Sequence, residues 1–251
     1  MRNLSNRDLE KFSRQIIIEK IGITGQKKII NSSVCIIGCG GLGTSASQYL
    51  TMTGIGEIML IDNDIIDLSN LNRQALFFEK DVGKSKVKVL SENLKKINNS
   101  IKIKYLKKKI TKKNIVELLP NYKFILDCTD NFKSKYVINE YCFEKKKTLV
   151  SSAIQNFDVQ TSVFSSWKKD FPCYECVFPN TKNFENKNCD SMGITAPVAG
   201  IGGLFQAMLT INVIIDNSNG LFKELILFDS FNRTFRKIKI KKNPKCKICG
   251  K

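Results

Sequence analysis

A glycine-rich turn is the first part of this sequence whose residue types and spacing could do chemistry. The pattern G-x-G-G-x-G follows the apolar run 33–37 and precedes a stretch typical of a helix. In that context the turn brings backbone N–H groups and a helix N-terminus against a phosphate. Asp62 ends the next apolar run, where a carboxylate accepts hydrogen bonds from ribose hydroxyls. The pattern predicts a nucleotide site, with NAD as the default ligand, that contains Gly38, Gly40, Gly41, Gly43 and Asp62.

The residues that follow Asp62 favour a nucleoside triphosphate over NAD. Hydride transfer needs no dense cluster of acids and cations, whereas arginine binds phosphate oxygens and carboxylates bind Mg²⁺. Lys86 begins the next helix and Asp130 follows a further apolar strand, so both are expected at the carboxyl edge of the sheet. The further candidate ligands of ATP and Mg²⁺ are Asp64, Asn70, Arg73, Gln74, Lys86, Asp130 and Asn131.

Two Cys-x-x-Cys pairs predict a metal centre. Cys173 and Cys176 form the first pair, and Cys246 and Cys249 form the second. Four thiolates suit tetrahedral Zn²⁺ and leave no open position, so the zinc would be structural rather than catalytic. A redox Cys-x-x-Cys is the alternative, and the presence of two pairs disfavours it.

The first cysteine pair also allows a different enzyme class. Cys142, Glu144, Cys173 and Cys176 mimic a zinc deaminase, with three thiolate ligands and a glutamate that shuttles protons. Together with the basic charge, this makes a nucleoside or RNA deaminase a rival hypothesis. It leaves Cys246 and Cys249 without a role, and it ignores the glycine-rich turn.

Composition narrows the chemistry further. The 251 residues include no histidine, which excludes a Ser-His-Asp triad, a Cys-His pair and an imidazole base. The 41 Lys and Arg exceed the 23 Asp and Glu, for a net charge of +18. The lysines are spread along the chain, so we expect a solvated basic surface that meets an acidic protein rather than a nucleic acid.

The sequence carries no targeting signal that we recognise. No apolar run follows the charged N-terminus, and no stretch of about eighteen apolar residues predicts a membrane-spanning helix. We therefore expect a cytoplasmic protein without a membrane partner, whose cysteines remain reduced.

The elements that must position these residues alternate between strand and helix. Short helices are predicted over 1–30, and a Rossmann-like nucleotide-binding part over 31–155. The remaining part, 156–251, predicts an antiparallel extension with the zinc site and a long apolar helix at 197–215, close-packed through Gly200, Gly202 and Gly203. The predicted fold class is α/β, a doubly wound, mostly parallel sheet in one domain. Small core residues are predicted at Cys35, Cys39, Cys128 and Cys142.

The order of these motifs resembles the E1-like, ubiquitin-activating superfamily in its bacterial ThiF/MoeB/HesA form. The matching segments are Arg14-Gln15, the glycine-rich turn, the segment 62–74, Lys86 with Gly83 before it, and D-C-T-D-N at 127–131. The likeness spans about Phe12 to Cys249 and is closest to the MoeB branch. It implies ATP-dependent adenylation of the C-terminal Gly-Gly carboxylate of a small acidic ubiquitin-like sulfur carrier, with release of pyrophosphate. The carrier would be MoaD-like, for molybdopterin synthesis, or ThiS-like, for thiamine synthesis.

The resemblance also implies roles for single residues. Asp62 would hold the ribose, Arg73 and Lys86 the phosphates, and Asp130 the Mg²⁺, while Asn70 and Gln74 shape the pocket. Arg14 would reach the phosphates from a partner subunit, which implies a homodimer. Cys189, in the polar segment 180–192, would be either a covalent attachment point for the carrier or an exposed spectator.

The resemblance leaves two further points open. No rhodanese-type segment follows Cys249 in this sequence, so we expect a separate sulfur donor, a cysteine desulfurase or a rhodanese-type protein. A non-catalytic E1-like scaffold is the remaining alternative. The retention of Arg73, Lys86 and Asp130 disfavours it, because a scaffold has no use for phosphate ligands.

Overall fold

The strands of the chain form one mixed sheet, in a computed structural model that describes residues 2–119, 122–180, 193–216 and 219–250. The strand order is β3-β2-β1-β4-β5-β6-β7-β8. The bounds are β1 Ser33–Ile37, β2 Glu57–Ile61, β3 Lys102–Leu106, β4 Phe124–Asp127, β5 Thr148–Gln155, β6 Asp158–Phe164, β7 Glu224–Asp229 and β8 Thr234–Lys239.

The sheet changes character at β5. β3, β2, β1, β4 and β5 pair in parallel, and β5 to β8 pair antiparallel. This confirms the predicted fold class of a parallel Rossmann-like core with an antiparallel extension. Strand β5 extends to Gln155, because it pairs with β6 from Leu149 to Gln155.

Helices cover both faces of the parallel part. Their bounds are α1 Asn6–Lys11, α2 Ser13–Ile16, α3 Gly22–Ile30, α4 Gly41–Thr53, α5 Lys86–Ile97, α6 Ile115–Leu118, α7 Phe132–Glu144, α8 Tyr174–Val177 and α9 Ala196–Ile215. The short α8 was not predicted. Helix α9 matches the apolar helix predicted at 197–215 to within one residue, and α7 ends at Glu144, because Lys146 takes a positive φ of 52°.

Strand β1 shows how the two faces are filled. Val34 and Ile36 join the apolar cluster under α4, α5 and α9, whereas Cys35 and Ile37 join the cluster under α6 and α7. A strand buried on both faces reads as a continuous apolar run, which is why the pattern 33–37 was recognisable. The four predicted core cysteines are buried, at 0% exposure for Cys35 and Cys39, 6% for Cys128 and 2% for Cys142.

The chain reverses its direction of winding between β1 and β4. From β1 it winds outward through β2 and β3, then returns to place β4 on the other side of β1. The carboxyl ends of β1 and β4 therefore flank a crevice, the usual ligand position in such sheets. Ile37 and Asp127 are paired across it, so the segments that leave these two residues begin side by side.

Helix α9 packs against α4, β5 and β6. A Cβ on Gly202 would lie 2.6 Å from the Leu42 side chain, and one on Gly203 would lie 2.4 Å from the Leu42 carbonyl oxygen, so both glycines permit the close packing that was predicted. A Cβ on Gly200 would meet nothing within 4 Å, so the third glycine does not contribute. By length and composition alone, α9 could cross a membrane, which corrects the expectation that no stretch is so apolar. More than half of it is buried inside the fold, as befits a core helix.

Candidate nucleotide site and metal centre

The glycine-rich turn passes tightly between β1 and α4. Gly38 has a φ of +93°, and a Cβ there would lie 2.6 Å from the Cys128 carbonyl oxygen. A Cβ on Gly43 would lie 2.0 Å from the Gly38 carbonyl oxygen, so a side chain at either position would force the turn open. Helix α4 begins at Gly41 without a side-chain cap, which leaves its first N–H groups available to an anion.

Asp62 fastens this turn to the end of β2. Its Oδ2 accepts a hydrogen bond of 2.6 Å from the Cys39 N–H, and its Oδ1 accepts one of 2.9 Å from the Asp64 N–H. Burial raises the pKa of the Asp62 carboxyl, while these two N–H groups and the Lys86 ammonium act in the opposite direction. The carboxylate thus both shapes the turn and faces the crevice edge.

Lys86, Asp64 and Arg73 lie beside the turn. The Lys86 ammonium, 8% exposed at its side chain, lies 3.0 Å from Asp64 Oδ2. The half-buried Arg73 donates to the Ser69 carbonyl oxygen at 2.8 Å and to Asn72 Oδ1 at 3.1 Å. Its Cγ lies 3.7 Å from where a Gly41 Cβ would be, so the arginine borders the start of α4.

Two buried amides complete this side of the crevice. Asn70 Oδ1 accepts from the Asp67 N–H at 3.2 Å and so stabilises the turn that carries Arg73. Gln74 is 2% exposed, its Nε2 lies 3.8 Å from the Cβ position of Gly40, and its Oε1 has no hydrogen-bond partner among the described residues. A buried acceptor without a partner costs free energy, so Gln74 Oε1 suits a ligand group that donates a hydrogen bond beside the glycine-rich turn.

Asp130 lies across the crevice from these residues, in the turn that follows β4. Its exposed carboxylate accepts a bond of 3.2 Å from Asn131 Nδ2. Asn131, predicted as an ATP or Mg²⁺ ligand, is the N-cap of α7, and its Oδ1 accepts from the Ser134 N–H at 2.9 Å. Asp130 therefore offers free carboxylate lone pairs, the donor type that Mg²⁺ prefers, whereas Asn131 uses its oxygen within the protein.

Arg14 is not brought to this edge in a single chain. It lies exposed on α2, and the neighbouring Gln15 Nε2 donates to the Thr53 carbonyl oxygen at the far end of α4. Helix α4 has 13 residues. It is therefore roughly 20 Å long, further than an arginine side chain extends. Within one chain, Arg14 and the glycine-rich turn are at opposite ends of α4.

Sequence reasoning missed a buried polar network at the end of β4. Asp127 and Lys135 are paired at 3.0 Å with side-chain exposures of 0% and 5%. Gln206, from α9, donates to the Asp127 and Val150 carbonyl oxygens at 2.9 and 3.1 Å. The signal was present in the sequence, because a carboxylate that ends an apolar strand needs a buried partner.

The two cysteine pairs meet in one cluster, as predicted. The four Sγ atoms lie within 4.8 Å of one another, with Cys173 3.8 Å from Cys176 and 3.6 Å from Cys246, and Cys176 3.4 Å from Cys249. Tetrahedral zinc with Zn–S bonds of about 2.3 Å separates its sulfur ligands by roughly 3.8 Å, so the cluster could hold such an ion. Hydrogen bonds from Cys173 and Cys249 lower the pKa of Cys176, which favours the thiolate that a metal requires.

The deaminase hypothesis is not supported by this arrangement. Cys142 packs in the apolar cluster under α7, and it is absent from the metal-binding group found among the described residues. Glu144 is the last residue of the same helix. Cys173 and Cys176 instead pair with Cys246 and Cys249, the two cysteines that the deaminase hypothesis left without a role. Cys189 lies outside the described residues.

The family of the chain follows from comparison with known proteins. The ThiF family model matches residues 12–248. The adenylyltransferase and sulfurtransferase MOCS3 of Aedes aegypti is 37% identical over 249 residues, which cover 98% of this chain and 56% of that protein. The protein of the same name from Dictyostelium discoideum is 33% identical, with 98% and 58% covered. The chain thus spans little more than half the length of these curated relatives.

A solved structure agrees with this relationship. The crystal structure of Escherichia coli MccB with ATP is 28% identical with a TM-score of 0.79, and the match covers 90% of this chain and 68% of MccB. The resemblance inferred from the motifs is thereby confirmed. With the fold, the glycine-rich turn and the family model all in agreement, the chain belongs to the ThiF family.

Proposed function

We propose that this chain is an adenylyltransferase that activates the C-terminal Gly-Gly carboxylate of a small, acidic ubiquitin-like sulfur carrier. The observation that carries the proposal is the meeting of the glycine-rich turn, Arg73, Lys86 and Asp130 around the crevice between β1 and β4. The relatives named adenylyltransferase and the MccB structure with ATP support it. Because the chain spans only part of the MOCS3 proteins, we do not extend their sulfurtransferase activity to it.

The proposed reaction transfers AMP to the carrier. A carboxylate oxygen of the carrier attacks the α-phosphorus of ATP, a P–O bond breaks, and pyrophosphate leaves. The nucleophile is already ionised, so the reaction needs no protein base and suits a chain without histidine. Catalysis then rests on positioning the reactants and on neutralising the charge that develops on the phosphates.

Each part of the crevice has a role in this proposal. The amides at the start of α4 and the glycine-rich turn hold phosphate, Asp62 holds the ribose, and Gln74 Oε1 accepts from the nucleoside. Arg73 and Lys86 neutralise phosphate oxygens, with Asp64 keeping the Lys86 ammonium in place. Asp130 would hold Mg²⁺, which supplies charge neutralisation at the pyrophosphate leaving group.

We propose a homodimer whose sites are shared between subunits. Arg14 cannot reach the glycine-rich turn of its own chain, and the exposed Ile17 and Ile18 beside it are 73% and 50% accessible. Large apolar side chains next to an unengaged arginine suit a subunit contact. In a symmetric dimer, each subunit would deliver Arg14 to the site of its partner.

The remaining assignments follow from the same proposal. The Cys₄ cluster would hold structural Zn²⁺, because four thiolates leave no position for a substrate. The basic surface would attract the acidic carrier, MoaD-like in the molybdopterin branch or ThiS-like in the thiamine branch, and Cys189 would be its attachment point if a covalent step occurs. We propose a cytoplasmic location, and a cysteine desulfurase or a rhodanese-type protein as the sulfur donor.

Exchange of labelled pyrophosphate into ATP tests this function. Wild-type protein is assayed with a MoaD-like and a ThiS-like carrier, each with and without its final glycine. We expect exchange that requires one carrier and its terminal carboxylate. Asp130→Ala should lower that exchange by at least about 100-fold, because it removes a group that stabilises transition-state charge.

The control is Glu92→Ala, which removes an exposed carboxylate from α5. It should retain wild-type exchange, and both variants should melt at the wild-type temperature. Unchanged exchange in Asp130→Ala, or no exchange with either carrier, would contradict the proposal. The second result would favour the scaffold alternative.

A further inference from the structure

We infer that Asp127 and Lys135 are positioning residues that fix the Asp130 carboxylate in its magnesium-binding place. The inference rests on the proposed function, and it gives a role to Asp127, to which the D-C-T-D-N motif gave none, and to Lys135, which lies outside the motifs. Asp127 ends β4 and Lys135 lies on α7, and their side chains are 0% and 5% exposed.

The Asp127 carboxylate is saturated by bonds from three structural elements. Its Oδ1 accepts from the Thr129 N–H at 3.0 Å and from the Thr129 hydroxyl at 2.7 Å. Its Oδ2 accepts from the Ser151 hydroxyl of β5 at 2.8 Å and from the Lys135 ammonium of α7 at 3.0 Å. Lys135 also donates to the Ser152 carbonyl oxygen at 2.9 Å. The bonds lock Thr129, which directly precedes Asp130.

The residue after Asp130 is fixed from the same network. Asn131 caps α7 and donates to Asp130, and the first turns of α7 carry Lys135 back to Asp127. The turn that carries Asp130, helix α7 and the Asp127–Lys135 ion pair therefore form a closed ring of contacts, in which Asp130 is the exposed residue. Removal of the Lys135–Asp127 contact opens the ring, so the position of Asp130 relative to Arg73 and Lys86 would no longer be defined.

Stability alone does not explain this pair. Removing two charges from water is costly, and a buried ion pair is often no more stabilising than apolar side chains of the same size. A network that orients a metal ligand is different, because loss of an outer partner typically weakens metal affinity or activity by about 10–100-fold. The location beside Asp130 thus favours orientation as the function of the pair.

Calorimetric titration with ATP, in Mg²⁺ and in EDTA, tests the inference without relying on turnover. The measured quantity is the gain in ATP affinity that Mg²⁺ provides. We expect Lys135→Met to reduce this gain by about tenfold or more. ATP affinity in EDTA should change by less than about threefold, because the glycine-rich turn is intact, and Lys135→Arg should keep most of the gain, because it preserves the charge.

Two further variants separate positioning from folding. The double variant Asp127→Leu with Lys135→Met removes both charges, so it avoids an unpaired buried carboxylate and should fold, yet it should also lose the gain. Gln26→Met is the matched control. It removes a buried side-chain donor to the Thr53 carbonyl oxygen, at the far end of α4, and should leave the gain unchanged.

Hydrogen exchange provides a structural readout of the same variants. The Thr129 amide, which donates to Asp127 Oδ1, should exchange faster in Lys135→Met and at the wild-type rate in Gln26→Met. A wild-type magnesium gain in both Lys135→Met and the double variant would overturn the inference while leaving the proposed function intact. If the wild type shows no gain, the assignment of Mg²⁺ to Asp130 fails and this inference fails with it.

Discussion

The nucleotide crevice and the cysteine cluster differ in how many of their predicted residues a single chain brings together. The glycine-rich turn follows β1, Arg73 and Lys86 follow β2, and Asp130 follows β4, while Arg14 lies at the far end of α4. The cluster brings its four sulfurs within 4.8 Å from two short segments of the same chain. The first site is open and assembled over a long stretch of sequence, whereas the second is closed and complete.

This difference indicates what each site does. An open edge with exposed Asp130, an uncapped α4 and an unpartnered Gln74 oxygen leaves bonding capacity for a substrate. Four thiolates around a metal ion would leave no position for a substrate, so a metal in the cluster would instead tie the segment 241–250 to α8. Substitutions in the crevice should therefore lower activity without lowering stability, whereas substitutions in the cluster should lower stability first.

Loss of the metal centre gives the largest expected effect on stability. Cys249→Ser removes one of four ligands, and metal-binding free energy in such sites is folding free energy. We expect the free energy of unfolding to fall by about 3 kcal/mol, or roughly 6–12 °C in melting temperature for a chain of this size. The segment 241–250 should also become sensitive to protease, as limited proteolysis with mass spectrometry would show.

The matched control for that change is Cys142→Ser, at a buried cysteine outside the cluster. Metal analysis of protein purified under reducing conditions should give one zinc per wild-type chain, less in Cys249→Ser and one in Cys142→Ser. Wild-type protein without any metal would contradict the zinc assignment. If Cys249→Ser loses its affinity for ATP together with its metal, the crevice and the cluster are not independent, and the contrast between them fails.

Mixing of inactive variants tests whether the crevice is shared between subunits. Arg14→Ala and Asp130→Ala should each lack carrier-dependent exchange. After the two are unfolded and refolded together, half of the dimers combine both chains, and one site in each such dimer has an intact Arg14 and an intact Asp130. We expect about a quarter of wild-type exchange to return. If the mixture stays inactive while co-refolded wild type recovers, Arg14 does not act across subunits.

The sequence predicted the parallel half of the fold well and the polar detail less well. Strands such as 33–37 are buried on both faces, so their apolar runs were unmistakable, and the Gly-rich turn marked the junction to α4. Asn131 was predicted as a ligand, and the structure shows that it caps α7. The sequence alone could not separate these roles, because an amide at a helix N-terminus suits both. Nothing in the sequence set Lys135 apart from the other lysines and arginines, which total 41 with it, because only its three-dimensional contact with Asp127 distinguishes it.

Helix α9 packs on α4 beside the crevice, and its glycines give the smallest and sharpest test. Gly200 and Gly203 are both helical, but only a Cβ at Gly203 collides with backbone, 2.4 Å from the Leu42 carbonyl oxygen. Gly200→Ala should therefore raise the free energy of unfolding by about 0.5–1 kcal/mol, because alanine loses less backbone entropy in a helix. Gly203→Ala should lower the free energy of unfolding by about 1–3 kcal/mol through overpacking. The same substitution should weaken ATP binding, because Leu42 lies within the glycine-rich turn.

Denaturant titration of both variants measures the difference. Equal effects at the two positions would mean that α9 does not pack on α4 as described.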